Sequence, residues 1–121
     1  MAASEVNNTD TGVFIGASSS DYARLLEQSA LESAAHYSTG ASAALLANRI
    51  SYFFDWHGPS LTLDTACSSS LVAVHQAIKA LRAGECQRAL VGGVNLILHP
   101  ANSIAYGEAG MLAPDGCCKT F

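Results

Sequence analysis

Cys67 is the residue of this 121-residue chain whose placement most invites chemistry. It follows Leu61-Thr62-Leu63-Asp64-Thr65-Ala66, which has strand character, and precedes three serines that open a periodic apolar stretch with helical character. A thiol at such a junction sits near the unpaired N–H groups and the positive dipole end of the helix. Those groups favour the thiolate, the form that attacks a carbonyl carbon. The same N–H groups can stabilise the oxyanion of a tetrahedral intermediate. Small neighbours at Ala66, Ser68 and Ser69 leave room for a substrate. The competing reading is a small buried core residue, the common fate of a free cysteine. Cys86, Cys117 and Cys118 form no CxxC pair and have no histidine at zinc-ligand spacing, so neither a metal site nor a disulfide is expected. Cys117-Cys118 reads as ordinary loop cysteines rather than a redox pair.

The elements that must position Cys67 follow from apolar patterning. Val13-Phe14-Ile15-Gly16-Ala17 predicts a buried strand, residues 18–21 supply turn and N-cap chemistry, and Tyr22 to Gln28 predicts a short helix. Residues 42–54 are nearly apolar all round, as in a helix buried on most sides, and Gly58-Pro59 ends that pattern. Leu61–Ala66 and Arg88–Asn95 predict two more strands. Between them Leu71, Val74, Ile78 and Leu81 make one helical stripe, with Gly84 as C-cap and the serines at 68, 69 and 70 as N-terminal caps. Uniformly apolar strands alternating with helices predict an α/β fold with a parallel sheet covered on both faces. Residues 1–11 are polar and expected to fray.

Composition narrows the function. Ten acidic against six basic residues leave a net charge of −4, which argues against nucleic-acid and polybasic membrane binding. The longest stretch free of Asp, Glu, Lys and Arg, residues 89–107, holds Asn95, His99, Pro100 and several glycines and would span a membrane poorly. With no basic region and apolar core at its start, a cytoplasmic location is expected. Half the residues are hydrophobic but only 13% are charged, well below the roughly 25% of an ordinary soluble domain. Such a chain has apolar faces for something else to cover.

The run Gly58-Pro59-Ser60-Leu61-Thr62-Leu63-Asp64-Thr65-Ala66-Cys67-Ser68-Ser69-Ser70-Leu71-Val72-Ala73 resembles the nucleophile segment of β-ketoacyl synthases, above all the ketosynthase domains of type I polyketide synthases and their fatty-acid synthase relatives. The resemblance extends to Val13–Ala17, Asn48–Tyr52, Gly92–Asn95, Gly110–Gly116 and Cys118–Phe121, and so covers nearly everything from Gly12 onward. His57 and Cys117 stand where arginine is usual, neither at a catalytic position.

That resemblance implies a thiolase-like fold, of which residues 12–121 would form part of the N-terminal half: an incomplete mixed sheet with helices on both faces. It implies that Cys67 accepts an acyl group from the phosphopantetheine arm of an acyl carrier protein. A malonyl-type extender would then lose CO2, and its enolate would attack the acyl-cysteine. No bound cofactor or metal is implied; a homodimer is, with the strand near Leu61–Ala66 contributing. The family's two catalytic histidines belong to EAHGTGT and GHxEAAAG motifs, which this sequence lacks. His36, His57, His75 and His99 lie outside any such motif and read as structural. The expectation is therefore a ketosynthase segment, inactive in condensation by itself. Two alternatives are a non-catalytic remnant or complementing half that pairs with a histidine-bearing chain, and an unrelated cysteine hydrolase. The second would need a GxSxG-like elbow, whose glycines Thr65-Ala66-Cys67-Ser68-Ser69 does not supply.

Overall fold

A computed structural model describes residues 7–18, 20–29 and 37–119. Three strands, β1 (Thr11–Gly16), β2 (Ser60–Leu63) and β3 (Arg88–Gly93), form a parallel sheet in the order β2-β1-β3. Parallel neighbours cannot be joined by a hairpin, so each connection must cross a face of the sheet. Between β1 and β2 the chain forms α1 (Asp21–Gln28), α2 (Tyr37–Ala41) and α3 (Ala44–Phe54). Between β2 and β3 it forms α4 (Ser69–Ala83), and α5 (Ala101–Glu108) follows β3.

Every residue of β1 is buried, because it is the central strand and both its faces are covered. Val13 and Ile15 pack with Ala47 of α3, with Ile50 and Trp56 alongside. Phe14 points the other way, into a cluster with Ala73, Ala77 and Ala80 of α4 and the buried thiol of Cys86. The alternation of side chains along one strand thus builds two small cores, one per face. Helices on both faces were expected from the sequence and are found.

Several local expectations change. The strand begins at Thr11, and the preceding residues are tied to it: Thr9 bridges to Trp56, and Asp10 O accepts the Gln87 N–H at 2.8 Å. The expectation of fraying from 1 to 11 therefore does not extend to Thr9–Thr11, and residues 1–6 lie outside those described. The 42–54 stretch, read as a helix buried on most sides, is α3 preceded by a break at Ser42 and Ala43. Only Ala47 and Ser51 of α3 are buried, while Tyr52 is 89% exposed.

The largest correction concerns α4. Its sheet-facing stripe is Ser69, Ala73, Ala77 and Ala80, whereas Leu71, Val74, Ile78 and Leu81 face outward, Leu71 at 76% exposure. Small side chains let the helix approach the sheet closely, and the bulky stripe is left on the opposite side. Gly84 ends α4 in the left-handed conformation at φ 73°, as the sequence predicts. The helix α5 was not foreseen: residues around His99 and Pro100 read as loop, yet they lead directly into it.

Candidate active site

Cys67 lies in the turn that carries the chain from β2 into α4, and it is exposed. The turn is held by its own side chains. Asp64 Oδ1 accepts the Ala66 N–H at 2.9 Å, which closes the exit from β2. Ser69 Oγ accepts the Thr65 N–H at 2.9 Å and donates to Ala66 O at 2.6 Å, bracketing the residues just before the cysteine. Ser68 Oγ donates to Thr65 O at 2.8 Å and lies 2.9 Å from Thr65 Oγ1.

Ala66, immediately before Cys67, has φ 54°. A non-glycine residue in the left-handed region costs roughly 1–2 kcal/mol, and the hydrogen bonds on either side hold it there. The result is a sharp reversal that presents Cys67 at the start of α4. The serines do not act as the helix caps expected of them: no side-chain hydrogen bond caps the α4 N-terminus, and the hydroxyls of Ser68 and Ser69 fold back onto Thr65 and Ala66. The first turn of α4 consequently has no hydroxyl competing at its N-cap for a substrate oxygen.

Glycines set how close α4 comes to the sheet. A Cβ built on Gly16, at the end of β1, would lie 2.7 Å from the backbone of Ser69 and of Ser70. One on Gly93, at the end of β3, would lie 3.1 Å from the Ser70 side chain. Both strand ends therefore abut the first turn of α4, two and three residues past the thiol.

On the α3 face of the same sheet edge lies a cavity of about 310 Å³, lined in part by Ser18, Asp21, Thr62, Asp64 and Leu98. The Thr62 hydroxyl is buried with no hydrogen-bond partner. Crevices outside the carboxyl ends of parallel strands are the common ligand sites of α/β sheets.

The histidines do not assemble around the thiol. His57 Nε2 lies 3.4 Å from Asp55 Oδ1 in an exposed pair, and His99 Nδ1 accepts the Ala101 N–H at 3.2 Å. His75 is exposed on α4, and His36 lies outside the described residues. Cys86 is buried in the α4-side core, while Cys117 and Cys118 are exposed. Among the described residues no cluster of three or more His, Cys, Asp or Glu is placed to hold a metal, and no helix is long and apolar enough to cross a membrane.

Comparison with known proteins gives a consistent likeness. A family profile described as "Beta-ketoacyl synthase, N-terminal domain" matches residues 1–121. A fatty acid synthase of the goose Anser anser anser is 50% identical over 116 residues, covering 96% of this chain and 33% of that protein. A highly reducing polyketide synthase of Phaeosphaeria nodorum is 47% identical over 121 residues, the whole chain but 4% of that protein. Among solved structures, the ketosynthase from module 6 of the Bacillus subtilis bacillaene synthase superposes with a TM-score of 0.81 at 44% identity, covering 98% of this chain and 19% of that one. An oxazolomycin ketosynthase domain of Streptomyces albus gives 0.83 at 42% identity, covering 100% and 21%. The chain thus spans about a third or less of the length of these relatives.

Proposed function

The chain belongs to the β-ketoacyl synthase family, through its N-terminal domain, and from that premise we propose that it supplies the acyl-accepting cysteine, Cys67, of a ketosynthase that elongates polyketide or fatty-acid chains. The observation that carries this reading is the Cys67 turn, with left-handed Ala66 before it and an uncapped helix start after it.

In the first half-reaction the Cys67 sulfur attacks the thioester carbonyl of an acyl group carried on the phosphopantetheine arm of an acyl carrier protein. The carbonyl oxygen takes up negative charge, for which N–H groups at the start of α4 are the available donors. Collapse of the intermediate expels the pantetheine thiolate and leaves the acyl group on Cys67. In the second half-reaction a malonyl-type thioester loses CO2, and the resulting enolate attacks the acyl-cysteine and releases the Cys67 thiolate. Loss of CO2 generates the carbon nucleophile without a strong base. Polarising the extender carbonyl needs histidines that these 121 residues do not carry in the family's motifs, so we assign this chain the first half-reaction only.

An acyl carrier protein is thus the proposed partner, with phosphopantetheine entering as part of the substrate and no cofactor resident in this chain. A homodimer is proposed as well, with β2, an edge strand among those described, available to pair with a second copy. A second reading, a complementing half that docks on a histidine-bearing chain, draws support from the outward apolar stripe of α4. Co-purification with such a chain would favour it.

The test is acylation. Incubated with an acyl carrier protein thioester, the chain should gain one acyl mass on Cys67, and Cys67→Ala should gain none. Supplied in addition with a malonyl carrier protein, the 121-residue chain should form no condensation product. Equal labelling of the Cys67→Ala variant would reject the assignment of the nucleophile. Product above that control would reject the restriction to one half-reaction.

A further inference from the structure

We propose that Asp21 is a positioning residue for Cys67: its side chain ties the segment leaving β3 to the segment leaving β1, and so fixes the two strand ends against which the start of α4 rests. This deepens the reading of Cys67 as nucleophile and rests on it for its kinetic arm.

Asp21 is the first residue of α1 and, at 5% exposure, the one buried acid among the described residues. A buried carboxyl group is tolerated only when its oxygens find donors. Here one oxygen does so across the fold: Asp21 Oδ2 accepts the Leu98 N–H at 3.1 Å and the His99 N–H at 3.2 Å. These donors lie 77 and 78 residues away in sequence. They belong to residues 94–98, a stretch without regular structure whose backbone makes no ladder of its own.

The clamp connects to the thiol through the ends of two strands. Val94 N–H donates to Gly16 O at 3.0 Å, so the 94–98 stretch starts from the end of β1. Gly16 and Gly93 are the two positions that touch the Ser69–Ser70 segment most closely. Ser69 in turn brackets Thr65 and Ala66, the residues before Cys67. Asp21 closes the far end of this loop of contacts. It contacts neither the thiol nor, in this account, the substrate, and acts through the segment that it holds. His99 extends the same clamp, since its Nδ1 accepts the Ala101 N–H and thereby orders the entry into α5.

The experiment compares Asp21→Ala, Asp21→Asn and Asp21→Glu with the parent in the full-length protein. Asn keeps an acceptor of the same reach, Ala removes it, and Glu displaces it by one methylene. Hydrogen exchange should accelerate at the Leu98 and His99 amides by at least about tenfold in the Ala variant and stay near parental in Asn. Alkylation of Cys67 by iodoacetamide, read against Cys117, should change by several-fold in Ala and recover in Asn. Acylation of Cys67 from an acyl thioester should fall with the rate constant rather than with KM. Where the Ala variant does not fold, Glu carries the same comparison with the acid retained.

Faster exchange at Leu98 and His99 without any change at Cys67 would reduce Asp21 to a structural staple and overturn the proposal. Unchanged exchange would overturn it as well. If the parent protein takes no acyl group at all, the proposed function fails, and the alkylation rates alone then decide whether Asp21 positions Cys67.

Discussion

Gly16 and Ser69 meet backbone to backbone: a Cβ on Gly16 would lie 2.7 Å from the Ser69 carbonyl carbon, closer than real Cβ contacts come. Glycine at the end of the central strand is therefore what allows α4 to begin where it does. Because Ser69 brackets the turn that presents Cys67, this contact links strand packing to the reactivity of the thiol.

Replacing that glycine should move the helix start. Gly16→Ala is expected to cost about 1–3 kcal/mol, as overpacking does in a filled interior. It should also slow alkylation of Cys67, because the turn must shift with Ser69. Urea midpoints and thiol-labelling rates measure the two effects. A variant with parental stability and parental labelling would show that the close approach is not needed.

The two faces of α4 should respond in opposite ways. Ala77 is buried against the sheet, so Ala77→Leu should lose about 1–3 kcal/mol through overpacking. Leu71 faces outward in this chain, so Leu71→Ser should stay within about 0.5 kcal/mol and raise solubility. Thermal unfolding and sedimentation of the two variants check this. A strongly destabilised Leu71→Ser chain would return the bulky stripe to the interior.

A pH effect is expected at the turn near the end of the described residues. Lys119 pairs with Asp115 and holds its carboxyl below the usual range, with the Cys117 N–H as a second donor. A lowered folded-state value means the pair stabilises the turn above the ordinary carboxylate range. That contribution is lost as pH falls through the lowered value. Lys119→Ala should move the Asp115 titration back towards the ordinary range, followed by side-chain NMR. Identical titrations in parent and variant would show that Lys119 is not the cause.

Legibility differed from residue to residue. Cys67 could be placed because a strand pattern and a helix pattern meet at it, and both elements form within a few residues of their expected bounds. The inward face of α4 could not be read, because the helix carries two apolar stripes and periodicity does not rank them. Size pointed to Leu71, Val74, Ile78 and Leu81, whereas close packing on the sheet selected Ala73, Ala77 and Ala80. The serines were read as caps because hydroxyls near a helix start commonly serve so. A left-handed Ala66 turns their hydroxyls backward instead. A glycine ending a buried strand was the one available sign of the Gly16 contact.

By itself the sequence determined the α/β order, the strand-to-helix junction at Cys67 and the kinship with β-ketoacyl synthases, since these depend on local pattern and motif. Its low charge content of 13% also pointed to faces that need covering, and the outward stripe of α4 is one of them. Tertiary structure alone decided which stripe of α4 meets the sheet, how Gly16 and Gly93 seat its first turn, and that Asp21 reaches Leu98 and His99. Those relations join residues tens of positions apart. They are set by the space left when strands and helices pack, which no local pattern records.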